Sequence, residues 1–287
     1  DTPNSRKRHI SPIPRIGGLS IFIGISTGIL GLLFFDKSQI VVQNYFYIFS
    51  IYLCFGLFFL LGFIDDLKSI SPYFRLLFQF LISAISWFLI AKIQGFYLSF
   101  DYINHYSYLF TNLISFFITL IWTVGLINAI NWIDGMDGLL IVLTCIYSSA
   151  LSIISIINNN YLEAFVSIFM LSSCLGFLKY NKNPATIMTG DGGSYLIGFY
   201  LASFALNSVK DPGIINPIIL LILLSVPLID MVRVIFLRIS KFQSPFFPDR
   251  KHFHYLLIDR GVSQKNCLKI IFLISLLSST LSIFLSS

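Results

Sequence analysis

Eleven residues, Asn128-Ala-Ile-Asn-Trp-Ile-Asp-Gly-Met-Asp-Gly138, hold two carboxamides (Asn128, Asn131), two carboxylates (Asp134, Asp137) and two glycines. They follow directly on an apolar run from Phe110 to Ile127 that is long enough to cross a bilayer. From Asn128 the polar residues recur at every third position, so in helical form they drift slowly around one face. Gly135 and Gly138 predict that the helix breaks there and frees backbone and side-chain groups for a ligand. Unpaired carboxylates at a membrane edge are costly unless a cation sits beside them. A metal ion or a substrate is the natural partner.

Three further clusters offer related chemistry. Asp65 and Asp66 end the second apolar run, just before Lys68. Neighbours on a helix point about 100° apart, so one carboxylate is expected to meet a metal or substrate while the other pairs with a basic group; a solvated loop end is the plainer reading. Thr189-Gly-Asp-Gly-Gly-Ser194 opens an apolar helix whose free N–H groups suit an anion. A carboxylate in such a loop makes sense if it carries Mg²⁺ that a phosphate also touches; a simple tight turn is the alternative. Pro248-Asp-Arg-Lys-His-Phe-His254 supplies Arg250, His252 and His254, side chains suited to a diphosphate. Against this stands a basic patch drawn to anionic lipid, and with no cysteine nearby a zinc site is disfavoured. Asp230 and Arg233 read as an internal pair, Glu163 as structural, and Trp122 and Trp132 as packing or interface residues. No Walker lysine loop, GxGxxG or nucleophile elbow is present.

The elements that must position these groups are membrane helices. The 287 residues are 56% hydrophobic and 11% charged, where a soluble domain carries about 25% charged residues. The expected fold is all-α, a single polytopic helical bundle over residues 1–287, with nine spans at 17–35, 45–64, 73–91, 110–130, 139–157, 161–178, 194–209, 214–236 and 267–286. Placing the basic start (Arg6, Lys7, Arg8, His9, Arg15) in the cytoplasm puts 14 of the 19 Lys and Arg in or beside inner loops, the positive-inside pattern. Every polar cluster then falls on the cytoplasmic face, in 1–16, 65–72, 128–138, 179–193 and 237–266. The four cysteines are scattered through apolar stretches and read as packing. Topology accounts for the basic charge, so no nucleic-acid partner is expected. The first residue is Asp rather than Met, which leaves room for a preceding span.

Taken together, the motifs resemble the polyprenyl-phosphate N-acetylhexosamine-1-phosphate transferases, relatives of the phospho-MurNAc-pentapeptide translocase. The matching stretches are Asp1 to His9, Gly17-Gly18, Asp65-Asp66, Asn128 to Gly138, Gly190 to Ser194 and Pro248 to His254, in the family's order and over nearly the whole chain. The resemblance implies a bacterial inner-membrane enzyme of ten or eleven helices with its active site facing the cytoplasm. It would move a sugar 1-phosphate from a UDP-N-acetylamino sugar to undecaprenyl phosphate, releasing UMP, as the first step of a cell-surface polysaccharide. Mg²⁺ is implied, with Mn²⁺ as a substitute, and homodimers occur in the family. By position, Asp191 and Asn131 would hold the metal, and Asp65, supported by Asp66, would contact or deprotonate the lipid phosphate. Asp134 and Asp137 would line the uridine pocket with Asn128 beside them, and Arg250, His252 and His254 would hold the diphosphate and sugar. Lys7 and His9 match the amino-sugar branch. The run His252-Phe-His-Tyr255 lacks the translocase's three consecutive histidines, which argues against a pentapeptide-bearing donor and leaves the amino sugar open. A transporter, or a non-catalytic polyprenyl-lipid binding protein, are the competing classes; a transporter expects charges near the bilayer midplane and repeated halves.

Overall fold

The computed structural model describes residues 13–36, 38–91, 107–207, 217–244 and 250–286. Lys7 and His9 lie outside the described residues. Regular structure is helical throughout the described part, as it must be where lipid offers backbone groups no partner. In chain order the helices are α1 (Gly17–Phe35), α2 (Gln39–Gln43), α3 (Tyr45–Lys68), α4 (Pro72–Ser86), α5 (Ser107–Ile133), α6 (Leu139–Ile157), α7 (Tyr161–Asn181), α8 (Gly190–Asn207), α9 (Pro217–Leu223), α10 (Ser225–Ile239), α11 (Phe253–Asp259) and α12 (Gln264–Ser286). A π-helical turn, Trp87–Ala91, extends α4.

Seven described helices are long and apolar enough to cross a membrane, or eight if α9 and α10 count as one span. In their described residues, all nine expected apolar segments are helical, one of them with a break. The segment expected at 194–209, α8, is not among the seven because it is diluted by its polar opening Gly-Asp-Gly-Gly-Ser. It is nonetheless the centre of the bundle. Tyr195, Leu196, Ile197, Phe199, Tyr200, Leu201 and Ala202 are fully buried, and a helix apolar on every side belongs in an interior. α1, α3 and α5 pack around it, with α4 between α3 and α5; α7 packs on α1 and α6, and α12 lies along α6.

One expected span is corrected. The run 214–236 is broken at Leu224, and α9 and α10 meet at 78°. Pro227, in the first turn of α10, has no N–H to return to the preceding turn, so a straight helix cannot pass through it. The loop expected at 237–266 is shorter as well, because α10 runs on to Ile239, α11 forms within it and α12 begins at Gln264.

Candidate active site

The centre of the site is the glycine loop that opens α8. Residues 14–18 run beside residues 188–189, with Met188 N donating to Pro14 O (2.9 Å), Gly17 N to Met188 O (3.0 Å) and Gly18 N to Thr189 O (2.8 Å). Gly190 takes the left-handed φ of +75°, and a Cβ there would lie 2.6 Å from Asp66 Oδ2. On the facing wall, a Cβ at Gly62 of α3 would run into the backbone of Asp191. Glycine at both positions therefore lets the loop sit directly on the C-terminal end of α3. The contact is sealed by Gly192 N donating to Asp66 Oδ2 (3.0 Å).

Asp191 is held from α5. Asn131 Nδ2 donates to Asp191 Oδ1 at 2.7 Å and to Ser194 Oγ at 2.9 Å. Asn131, expected as a metal ligand, thus meets Asp191 through its N–H₂ group. Asp66 Oδ1 lies 3.5 Å from the Arg15 guanidinium and, though buried, accepts no hydrogen bond. Asp134, in the turn between α5 and α6, completes the acidic group. Burial and the nearby Asp191 push its carboxyl up to about 7, Asp66 adds to the rise, and Arg15 and the Thr189 hydroxyl oppose it.

The two adjacent carboxylates divide as helix geometry requires. Asp65, expected at the acceptor phosphate, is 6% exposed and fully engaged: it accepts from Ile70 N (2.8 Å), Tyr195 OH (3.2 Å) and Arg75 Nη1 (3.4 Å). Asp66 takes the N–H of Gly192 in the Asp191 loop, and the Asp65 charge also acts on Asp191. The break at Gly135 and Gly138 is present, with Gly138 at φ +75° where α6 starts. The residues of that motif do not all point one way, however. Asn128 donates to Gln79 Oε1 on α4 (2.7 Å) and to Val124 O (2.8 Å), inside the bundle. Asp137 Oδ2 accepts from Asn183 Nδ2 (3.0 Å) and Ala185 N (3.1 Å), tying the turn to the segment after α7.

The histidine segment closes the other side. His252 Nδ1 lies 2.8 Å from Asp230 Oδ2, and the His252 ring stands 5.5 Å from Trp132, the residue after Asn131. The His254 ring is nearly parallel to that of His252 at 6.1 Å and 4.1 Å from that of Tyr255. It packs over Gly135, and its Nε2 is buried with no hydrogen-bond partner. Burial, with His252 and Arg250 nearby and Asp230 opposing them, drives the His254 imidazole down to about 4 and keeps it neutral. Arg250 reaches Asp259 at 3.0 Å and lies over the Tyr255 ring. Asp230 and Arg233 form the expected pair at 2.7 Å. Arg238, 2% exposed, stacks over Trp132.

Arg15, Arg75, Tyr195, Gln79, Thr189 and Arg238 escaped sequence reasoning as site residues. Two had a readable signal, since Gln79 is the one carboxamide in apolar α4 and Tyr195 directly follows the glycine loop. Thr189 stood inside a quoted motif without a role of its own, and Arg15, Arg75 and Arg238 look like ordinary topology-setting charges until the fold brings them in. Among the described residues no three His, Cys, Asp or Glu side chains could close a metal shell by themselves. The donors present are oxygens, and Asp66 Oδ1, buried and 3.5 Å from Arg15, accepts no hydrogen bond. This fits a hard cation held by one or two carboxylates with water and phosphate oxygens in its other positions, the usual habit of Mg²⁺.

Residues 48–209 match the family described as Glycosyl transferase family 4. The whole chain aligns at 30% identity with 77% of a protein from Bacillus subtilis (strain 168) named probable undecaprenyl-phosphate N-acetylglucosaminyl 1-phosphate transferase. It is also 30% identical, over 99% of its length and 75% of the relative, to the undecaprenyl-phosphate alpha-N-acetylglucosaminyl 1-phosphate transferase of Escherichia coli (strain K12). The Salmonella typhi protein of the same name is 31% identical over 94% of this chain and 72% of its own.

Proposed function

Because the chain belongs to glycosyl transferase family 4, we propose that it transfers N-acetylhexosamine 1-phosphate from a UDP-sugar to undecaprenyl phosphate. An oxygen of the acceptor phosphate attacks the sugar-bearing phosphorus of the donor. The bond from that phosphorus to the bridging oxygen breaks, and UMP leaves with the oxygen. The observation that carries this reading is the meeting of Asp66, Asn131, Asp134 and Asp191 on one glycine loop at one end of a membrane bundle. By this reading, that end faces the cytoplasm of a bacterial inner membrane.

The acceptor phosphate is already anionic near neutral pH, so the main task is to bring two anions together in line, which positioning supplies. Asp191, oriented by Asn131, and Asp134 across from it would hold Mg²⁺. When bound, the ion neutralises charge on the donor diphosphate. Arg15 lies beside Asp66 and contributes fixed positive charge on the same side. Arg75 and Tyr195 lock Asp65, so that carboxylate fixes the inner end of α3, and Asp66 lies nearer the reaction. His252 and Arg250 meet the sugar diphosphate from α11's side. The acceptor's polyprenyl chain suits the lipid-facing groove on α9 and α10, about 530 Å³ in volume, lined by Leu221, Leu228, Ile229, Val232 and Phe236 with Arg233 among them.

The test is UMP release by the purified protein in detergent, with UDP-GlcNAc as donor. Release is expected only with both undecaprenyl phosphate and Mg²⁺ present. A folded preparation that releases UMP from no UDP-N-acetylamino sugar, the GalNAc and 6-deoxy donors included, would overturn the proposal.

A further inference from the structure

We propose that Asp230 is a positioning residue for His252, holding its imidazole with the proton on Nδ1 so that Nε2 is presented to the donor's sugar diphosphate. The inference rests on the function proposed above. Asp230 sits on α10, three residues after the proline that turns this helix, and is 6% exposed. Its Oδ2 takes His252 Nδ1 at 2.8 Å, while its Oδ1 accepts from Arg233 Nη2 at 2.7 Å and from Phe253 N at 2.9 Å. Arg233 also donates to the carbonyl of Lys251. The backbone on either side of His252 is therefore anchored to the same ion pair that holds its ring.

The ring is confined on its faces as well, with Trp132 at 5.5 Å and the nearly parallel His254 at 6.1 Å. So many restraints on one imidazole exceed what an internal salt bridge needs. A carboxylate on one ring nitrogen fixes the tautomer and leaves the other nitrogen for function. His252 Nε2 makes no hydrogen bond to any described residue, and Trp132 joins this ring to Asn131, which orients Asp191. A neutral Nε2 can accept from a sugar hydroxyl or acetamido N–H, and a protonated one can donate to a phosphate oxygen.

The experiment is a double-mutant cycle on the full chain in detergent, with UDP-GlcNAc and undecaprenyl phosphate. Asp230→Asn keeps the shape but lets the imidazole choose the wrong tautomer, and it is expected to lower kcat by about 10–100-fold, as losing a histidine's orienting partner does. KM for undecaprenyl phosphate should stay unchanged and Asp230→Glu should restore part of the rate. In a His252→Gln background, Asp230→Asn should cost nothing further. Equal losses in both backgrounds would overturn the proposal. The ¹⁵N spectrum of histidine-labelled wild type, with the His252 signal assigned by its loss in His252→Gln, needs neither turnover nor a folded Asp230 variant. A neutral ring protonated at Nδ1 supports the assignment, and one protonated at Nε2 overturns it. Absence of turnover in the wild type counts against the proposed reaction, whereas additive losses in an active enzyme count against Asp230 alone.

Discussion

Asn128 and Gln79 form a buried carboxamide pair between α5 and α4, and Gln79 Nε2 already lacks a partner. Asn128→Leu should leave Gln79 Oε1 stranded and cost about 1–3 kcal/mol of stability, while Asn128→Leu with Gln79→Leu should be closer to neutral. Melting in detergent separates the two, and UMP release should survive in the double variant; its loss would return Asn128 to the substrate pocket. Asp134 makes a prediction about pH. Its carboxyl is pushed from 3.8 up to about 7 in the fold, so the folded chain binds more protons than the unfolded one between those values. Stability must then fall as pH rises through that window, with the penalty complete above it. Without divalent cation the melting temperature should drop from pH 5 to pH 8, and Asp134→Asn should flatten the slope. An unchanged slope in the variant would contradict the assignment. Loop order put the Asp134 and Asp191 motifs on one face, but the approach of these two side chains could not be read from sequence, because nothing in either motif names the other.

At the scale of elements, helices were legible because continuous apolar runs in lipid have one way to satisfy their backbone. Their interruptions were less so. Pro227 lies inside the span expected at 214–236 and was not weighed there, and the 78° turn also depends on α10 finding a seat against α5 and α12, since packing partners are not written in a hydropathy pattern. The same holds for the histidine segment: Asp230 and Arg233 were readable as a pair, yet the arrival of His252 on Asp230 requires the bend. The contact of α3 with the α8 loop gives a direct test. Gly62→Ala forces a methyl into the backbone of Asp191 and should cost about 1–3 kcal/mol through overpacking. It should also displace Asp191, so activity should fall further than stability. Gly31→Ala on α1, with open space around it, is the control and should change neither. An active, unshifted Gly62→Ala protein would mean that the close approach is not needed.

At the scale of the whole molecule, charge asymmetry and loop order placed the clusters on one face before any coordinates, and the hydrogen bonds among Asp66, Asn131, Asp191 and their neighbours bring them together there. The division of labour within that face came only from geometry. Asp65 closes α3, Asp137 ties down a turn, and Asn131 serves Asp191. The central claim is that this cluster moves a sugar phosphate rather than a whole nucleotide or an ion. UDP-GlcNAc carrying distinguishable labels on its two phosphorus atoms would decide it, with the purified protein, undecaprenyl phosphate and Mg²⁺. The label next to the sugar should appear in the lipid while the label next to uridine leaves as UMP, and Asp191→Asn should abolish both. Both labels entering the lipid, or label transfer undiminished in Asp191→Asn, would contradict the account.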